Sequence, residues 1–261
     1  MPSYPDFTCA LITGAGGGIG KALAQYFISL HKKVLLVGRT ESNLADTASQ
    51  IGAAGYYVLD VGQTSSVASF ASRITKEHPD LDCLVNNAGV QRPLQVLQGD
   101  AAEFLTKADQ EIDINIRGPM HLTLALLPHL QTRPCGLVVN VSSVLGFVPF
   151  SVINPVYNGT KAWLHFWSLN LRSQLRQGGS SIKVVEIAPP MVGTDLHRER
   201  EDPDDNKKEK NKQALSVDEF MDDVRKGFEA GQDTITAGMG RAIVEKWYST
   251  FGDEYERASA K

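Results

Sequence analysis

Tyr157 and Lys161 stand four positions apart in the stretch YNGTK, a spacing that places both side chains on one face of a helix. The phenol of a free tyrosine has a pKa of about 10, so it exchanges protons poorly at neutral pH. A neighbouring ammonium group stabilises the phenolate and lowers that pKa. A phenol tuned in this way can give a proton to a carbonyl oxygen as hydride arrives, or take one from an alcohol. The pair predicts such acid–base chemistry, although many helices carry this spacing by chance.

Two serines, Ser142 and Ser143, directly follow an apolar run that predicts a strand, Leu137–Val141. Ligands of α/β sheets bind outside the carboxyl ends of the strands, so one of these hydroxyl groups could hydrogen-bond a substrate oxygen. A helix cap or an ordinary loop serine is the alternative interpretation.

A glycine-rich turn, TGAGGGIG at Thr13–Gly20, lies between the first apolar run and the first helical stretch. Glycines permit positive φ angles and let the backbone approach a pyrophosphate, whose charge a helix N-terminus favours. The position between strand and helix favours a dinucleotide site over a generic flexible loop.

The end of the second predicted strand, LLVGRT, indicates which dinucleotide binds. NAD-binding folds carry a carboxylate there for the ribose 2′-OH, whereas this chain has Gly38, which leaves room, and Arg39, whose planar fork suits a 2′-phosphate. The pattern favours NADP(H) over NAD(H), although Arg39 as a plain surface residue is the alternative. Asp60, after the third strand, could accept a hydrogen bond from adenine or cap the next helix.

Strand and helix patterns alternate from residue 7 to about residue 188, and 42% of the 261 residues are apolar, enough for a sizeable core. This alternation predicts one α/β domain over residues 1–261, a Rossmann-like doubly wound parallel sheet with helices on both faces. The predicted strands are Phe7–Ile12, Lys33–Val37, Tyr56–Leu59, Cys83–Val85, Leu137–Val141 and Lys183–Ile187.

The segment 197–213, HREREDPDDNKKEKNKQ, has no apolar residue except one proline, which predicts a mobile loop, either plainly solvated or a lid over a site. Residues 214–261 then predict two helices and a polar tail that frays. A capping box at Ser216–Glu219 opens the first helix, which Gly231 could close, and the second runs near Arg241–Phe251.

Composition excludes several classes of protein. A net charge of −4 is unsuited to nucleic-acid binding. Three cysteines without CxxC spacing fit neither a disulfide framework nor a zinc site, and they indicate a reducing compartment. The start MPSYPDFT lacks the pattern of a targeting signal, and no apolar run reaches the ~18 residues of a membrane span. We therefore expect a cytoplasmic protein without a metal site.

Several motifs together resemble the classical short-chain dehydrogenase/reductase family over residues 7–194, in a shared order and at near-standard spacings: Thr13-Gly-x-x-x-Gly-Ile-Gly20, Asn86-Asn-Ala-Gly89, Asn115, Ser143 and Tyr157-x-x-x-Lys161. Within the family, further residues resemble the oxidoreductase branch named for a bacterial protein linked to D-alanine esterification: Gly38-Arg39, Asn115–Pro119, Pro155–Tyr157 and Ala188–Pro190.

The resemblance implies a catalytic role for four residues. Tyr157 would be the general acid–base, and Lys161 would lower its pKa and hold the nicotinamide ribose. Ser143 would orient the substrate oxygen, and Asn115 would hold a water that connects Lys161 to solvent.

The resemblance also implies the cofactor contacts, with Asn87 and Ala88 near the adenine ribose and Val192 and Thr194 at the carboxamide. The full predicted set is Gly14, Gly17, Gly18, Ile19, Gly20, Arg39, Asp60, Val61, Asn87, Ala88, Tyr157, Lys161, Val192 and Thr194. Two departures from the family stand out. Ser143 and Tyr157 are 14 apart where the family has 13, and Pro190 replaces a common glycine.

The expected substrate pocket is largely apolar, which suits a mid-sized ketone, aldehyde or secondary alcohol, although these side chains could instead simply pack the loop onto the sheet. Its predicted lining is Val144, Leu145, Phe147, Val148, Phe150, Val152, Ile153, Met191 and Leu196, with His197 more readily a surface residue.

The helix Tyr157–Arg176 carries an apolar arc wider than one sheet-facing stripe needs. Together with the family resemblance, this predicts a homodimer or homotetramer through this helix and the one near Pro119–Leu130.

The sequence as a whole predicts an NADP(H)-dependent oxidoreductase of a carbonyl/secondary alcohol pair. Two alternatives remain open at this point: a catalytically silent NADP-binding sensor or scaffold, and a non-redox enzyme of the same fold.

Overall fold

The computed structural model describes residues 6–260, so residues 1–5 of the segment searched for a targeting signal lie outside the described part. Within it, seven parallel strands form one sheet in the order β3-β2-β1-β4-β5-β6-β7. The strands are β1 Cys9–Thr13, β2 Lys33–Gly38, β3 Gly55–Val58, β4 Leu81–Asn86, β5 Leu137–Val141, β6 Lys183–Ala188 and β7 Thr234–Thr236.

Helices cover both faces of the sheet, as predicted: α1 Gly18–Ser29, α2 Glu41–Ile51, α3 Val67–Glu77, α4 Ala101–Ile112, α5 Gly118–Leu130, α6 Pro155–Gln177, α7 Val217–Glu229, α8 Gly240–Trp247 and α9 Asp253–Ser259.

The two cores follow from strand periodicity. Ala10 and Ile12 of β1 belong to one buried cluster with α1, α2 and α7, and Cys9 and Leu11 belong to another with α3, α5 and α6. The strand order reverses between β1 and β4, which opens a crevice at the carboxyl ends of these strands.

The predicted strands are present with ends that differ by two residues at most, and the structure adds β7, which the sequence analysis missed. The three residues of β7 give no periodic pattern, because only Ile235 is buried and a threonine flanks it on either side. The strand exists because its backbone pairs with the end of β6.

The capping box is confirmed, since the Ser216 hydroxyl accepts from the Glu219 amide and the Glu219 carboxylate accepts from the Ser216 amide. Gly231, with a φ of 66°, follows the end of this helix. No helix between residues 6 and 260 is long and apolar enough to cross a bilayer.

The sequence predicts a polar C-terminal tail that frays, and the structure has a further helix there. The predicted helix near Arg241–Phe251 is broken by a π-helical turn at Tyr248–Gly252, and α9 follows it. The Tyr255 hydroxyl donates to the Leu169 carbonyl at 2.6 Å, and Gln177 donates to the Ser259 carbonyl at 2.8 Å. These polar contacts hold the tail against α6. The tail has too few apolar residues for the sequence to predict that it packs there.

Candidate active site

The glycine-rich turn brings β1, α1 and the end of β4 into close contact. Gly14 has a φ of 65°, and a Cβ there would lie 2.8 Å from the Ala88 Cα. A Cβ on Gly20 would lie 2.5 Å from the Gly14 carbonyl oxygen, whereas Gly17 faces open space. Close packing therefore requires glycine at positions 14 and 20, and Gly17 lies beside the cavity without such a contact.

Hydrogen bonds fix this turn to the loop after β4. The Thr13 hydroxyl accepts from the amides of Asn87 and Ala88, each at 3.0 Å, and donates to the Val85 carbonyl at 3.1 Å. The Asn87 side chain donates to the Thr13 carbonyl at 2.9 Å. The sequence motif around Asn87 thus acts as a brace for the crevice as well as part of its wall.

One cavity of about 620 Å³ runs along the carboxyl ends of the strands. Its wall includes most residues predicted from the sequence: Gly14, Gly17, Gly18, Ile19, Arg39, Asp60, Val61, Asn87, Ala88, Ser143, Tyr157, Lys161, Val192 and Thr194. Gly20 and Asn115 lie behind that wall. The Asp60 carboxylate accepts from the Gly62 amide at 3.0 Å, so this residue braces its own loop and also faces the cavity.

Lys161 is buried on α6, and its ammonium donates to the Val141 carbonyl at 2.8 Å. The Lys161 Nζ atom lies 5.5 Å from the centre of the Tyr157 ring, as the four-residue spacing predicted. Burial lowers the pKa of Lys161 to about 8, while the carboxyl groups of Glu111 and Glu186 act in the opposite direction.

Burial raises the pKa of the Tyr157 phenol, and the Glu111 carboxyl raises it further. The two groups that lower this pKa are Ser143, through a hydrogen bond, and Arg200, through its charge. The sequence analysis predicted that Lys161 would lower the pKa of Tyr157. In the structure the phenol is so deeply buried that desolvation outweighs the favourable contacts.

Asn115 lies in a π-helical turn, Asp113–Arg117, between α4 and α5. Its side-chain amide donates to the Val90 carbonyl at 2.9 Å and to the Thr160 hydroxyl at 3.1 Å, and it accepts from the Val90 amide. The side chain therefore ties the loop after β4 to the residue that precedes Lys161. Such π turns occur frequently at functional sites.

A buried polar network lies behind Lys161. The Ser142 hydroxyl donates to one oxygen of Glu186 at 2.5 Å, and His165 lies 2.9 Å from the other. All three residues are buried. Ser142 therefore serves this network, while the Ser143 hydroxyl accepts from the Leu145 amide at 3.1 Å and donates to the Pro189 carbonyl at 3.4 Å. The sequence analysis did not single out Glu186 as part of the site. An acidic residue inside the apolar strand KVVEIA was the feature that could have indicated it.

Glu111 is the second acidic residue that sequence reasoning missed. It is fully buried on α4, one helical turn before Asn115, and within residues 6–260 neither of its carboxyl oxygens has a hydrogen-bond partner. Burial raises its pKa to about 7, with Arg92 and Lys161 acting in the opposite direction and Glu199 in the same one.

The substrate end of the cavity is partly as predicted. Val144, Leu145, Phe150, Met191 and Leu196 line it, and Met239 joins them. The other predicted lining residues do not. Phe147 instead packs on His165 with 4.0 Å between ring centres, and Val152 is exposed to solvent. The loop with the extra residue turns these side chains away from the cavity.

The segment 197–213 folds over this end of the cavity as a series of turns. His197, expected at the surface, is buried against Asp205, which is a correction. Asn206 is also buried and donates to the carbonyls of Val192 and Thr194. Hydrogen bonds rather than apolar contacts hold the segment in place. Because composition does not reveal such bonds, it predicted only a solvated loop or a lid.

A family model described as short chain dehydrogenase matches residues 8–205. The chain belongs to the short-chain dehydrogenase/reductase family. An uncharacterized oxidoreductase, DltE of Bacillus subtilis, is 37% identical over 231 residues, which cover 87% of this chain and 86% of that protein. The family and branch resemblance seen in the sequence is thereby confirmed.

Other members of the family are similar at lower identity. The NADP-dependent 3-hydroxy acid dehydrogenase YdfG of Escherichia coli K12 is 34% identical over 204 residues, or 77% of this chain and 79% of that protein. A short-chain dehydrogenase from Sphingobium yanoikuyae in complex with NADPH is 25% identical, with a TM-score of 0.80 and coverage of 97% and 95%. The doubly wound fold is thus confirmed.

Proposed function

We propose that this short-chain dehydrogenase/reductase uses NADP(H) to interconvert a carbonyl group and a secondary alcohol, with Tyr157 as the general acid–base. The observation that carries the proposal is a single cavity with Ser143, Tyr157 and Lys161 at one end and Arg39 at the other. A sensor or scaffold that only bound a nucleotide would have no use for a buried phenol in the same cavity wall as a serine and a buried lysine.

The cavity fits a dinucleotide of this kind. Gly17 leaves space beside the N-terminus of α1, where a pyrophosphate is favoured. Val192 and Thr194 line the same cavity as Lys161, and Thr194 lies against Gly18 at the start of α1. When bound, NADPH would supply the hydride. Tyr157 and Ser143 would hydrogen-bond the substrate oxygen, and Tyr157 would give it a proton. The ammonium of Lys161, fixed by the Val141 carbonyl, would hold the nicotinamide ribose and stabilise the phenolate that remains.

The preference for NADP(H) depends on Arg39, an exposed residue at the cavity's end. Arg39→Asp is expected to raise the KM for NADPH roughly tenfold, from the loss of one exposed charge-assisted hydrogen bond, and to leave the KM for NADH nearly unchanged. Steady-state kinetics with both cofactors measures this. Lys246→Asp on α8, away from the cavity, is the control for the change in net charge. Equal changes for both cofactors would contradict the assignment.

The test of the proposed function is consumption of NADPH by the purified protein, followed by the absorbance of the reduced nicotinamide. The panel contains apolar ketones, aldehydes and quinones, and also 3-hydroxy acids in the reverse direction, because similar proteins act on them. Turnover supports the proposal. Tight NADPH binding without turnover on this panel and on a wide panel of alcohols with NADP would favour the sensor or the non-redox enzyme.

We also propose a homodimer or homotetramer through α5 and α6. Leu124 on α5 and Phe166 on α6 are 52% and 51% exposed. The double variant Leu124→Glu/Phe166→Glu is expected to shift the mass from light scattering towards the monomer, since charges at a buried interface are costly. Leu97→Glu, at a residue 98% exposed, is the control and should leave the mass unchanged. A monomeric wild type at micromolar concentration would refute the assembly. The cytoplasmic location stays a prediction.

A further inference from the structure

The substrate end of the cavity carries positive charge beside the reacting phenol. Two arginines, Arg198 and Arg200, line it. The one carboxylate on the same stretch of wall, Asp195, is bound by Lys207 at 3.0 Å and is largely exposed. The remaining side chains there are apolar or uncharged, apart from the ammonium of Lys161 and apart from His197, whose pKa burial lowers so that the neutral ring is favoured.

Arg200 is held in one orientation by neighbours from three parts of the chain. One terminal nitrogen donates to Asp205 at 2.7 Å, and the other donates to Asn154 at 2.8 Å and to Gln91 at 3.0 Å. The side chain is only 13% exposed. A fixed guanidinium group recognises an anion without the entropy cost of ordering a long side chain.

The charge of Arg200 acts on the reacting centre. Its counter-ion Asp205 is absent from the described cavity wall, while Arg200 lines it. Accordingly, the Tyr157 phenol responds to Arg200, which lowers its pKa. Of this ion pair, Arg200 therefore shares the described cavity wall with Ser143 and Tyr157, and Asp205 does not. An anionic group placed there gains attraction in surroundings partly screened from water.

We propose that the substrate carries a carboxylate close to its carbonyl or carbinol carbon, and that Arg200 is the residue that selects for it. The neighbouring Leu145, Phe150 and Met191 would contact the apolar remainder. This inference rests on the proposed function for the chemistry, and it adds the class of substrate: an oxo or hydroxy acid rather than a neutral ketone or alcohol.

The test compares hydroxy acids with their own methyl esters in NADP-dependent oxidation. The carboxylate stands one, two or three carbons from the carbinol carbon across the series, so the series also measures the distance to Arg200. For the best chain length, the wild type is expected to prefer the acid over its ester in kcat/KM by roughly tenfold to a hundredfold, the value of a charge-assisted hydrogen bond. An ester used as well as its acid at every length would overturn the proposal.

Two variants separate charge recognition from the support that Arg200 gives to the loop. Arg200→Gln is expected to lower kcat/KM far more for the acid than for the ester, chiefly through KM, and Arg200→Lys is expected to restore part of the preference. Asp205→Asn weakens the same loop contact by removing the carboxylate charge but keeps the guanidinium, so it should keep the preference for the acid. Equal losses for acid and ester in Arg200→Gln, matched by Asp205→Asn, would make Arg200 a loop brace only.

A second readout needs no turnover. With NADP present, 3-hydroxybutanoate is expected to raise the melting temperature of the wild type more than its methyl ester does, and this difference should vanish in Arg200→Gln. If the acid binds in this way but nothing is oxidised, the anion site stands and the proposed redox function fails. If esters and neutral alcohols are oxidised but no acid is preferred or bound, the redox function stands and this inference fails.

Discussion

Tyr157→Phe is expected to lower kcat about 10²- to 10⁴-fold, the contribution of a positioned general acid–base. Phenylalanine keeps the ring that α6 buries and removes only the hydroxyl that would exchange the proton. The Ser143 hydroxyl would still hydrogen-bond the substrate oxygen, so a small residual rate is expected rather than none. Stopped-flow measurement of hydride transfer gives the effect on the chemical step itself.

The binding of NADPH provides the internal control for this variant. Because the variant keeps the ring, the buried Lys161 and the glycine turn, the Kd for NADPH from fluorescence titration should change far less than kcat. Tyr57→Phe, at a residue of β3 whose hydroxyl donates to Glu77, is a matched control and should keep full activity. Turnover that survives in Tyr157→Phe would remove Tyr157 from the proton-transfer step.

Much of the fold and of the cofactor crevice could be predicted from local sequence, because each feature depends on a short pattern. The glycine turn, the apolar strands and the Tyr157–Lys161 spacing all express their geometry within a few residues. Gly14 illustrates the reason: its positive φ and its close approach to Ala88 are constraints that no other residue type satisfies.

The residues that tune the site were harder to predict, because their roles depend on burial and on contacts distant in sequence. Arg200 lies in a charged, polar run of the sequence, and its bonds to the distant residues Gln91 and Asn154 help to hold it at the cavity. Glu111 looks like an ordinary polar residue in KADQEIDIN until the helix turns it inward. His197 was misplaced for the same reason, since a residue eight positions ahead, Asp205, covers it.

Glu111 should make the protein less stable as the pH rises through neutrality. Its pKa is raised from 4.5 to about 7. Between these values the unfolded chain releases the proton while the folded protein keeps it, so the folded state binds more protons and the free energy of unfolding falls with rising pH. Above pH 7 the full cost is present, at most about 3 kcal/mol on the scale of 1.36 kcal/mol per unit.

Glu111→Gln should remove this pH dependence, because the amide has the shape of the protonated acid and stays neutral. Relative to the wild type, the free energy of unfolding from urea titrations should increase between pH 4.5 and pH 8 by up to about 3 kcal/mol. Glu103→Gln on the same helix is the control: its exposed pair with Lys107 contributes a few tenths of a kcal/mol at most, with no such rise across this range.

The same variant should change the acid–base chemistry, because the Glu111 carboxylate raises the pKa of both Tyr157 and Lys161. Without that charge both groups lose their protons more readily. The increase of kcat/KM for alcohol oxidation with rising pH should therefore begin at lower pH in Glu111→Gln. In Glu103→Gln the pH of this increase should not change. At a pH well below 7 the wild-type carboxyl is itself neutral, and the two enzymes should then behave alike. If the wild type and Glu111→Gln show the same pH dependence both in the unfolding titrations and in kcat/KM, Glu111 is neutral or paired throughout this range of pH. The burial of Glu111 would then have no effect on the reaction.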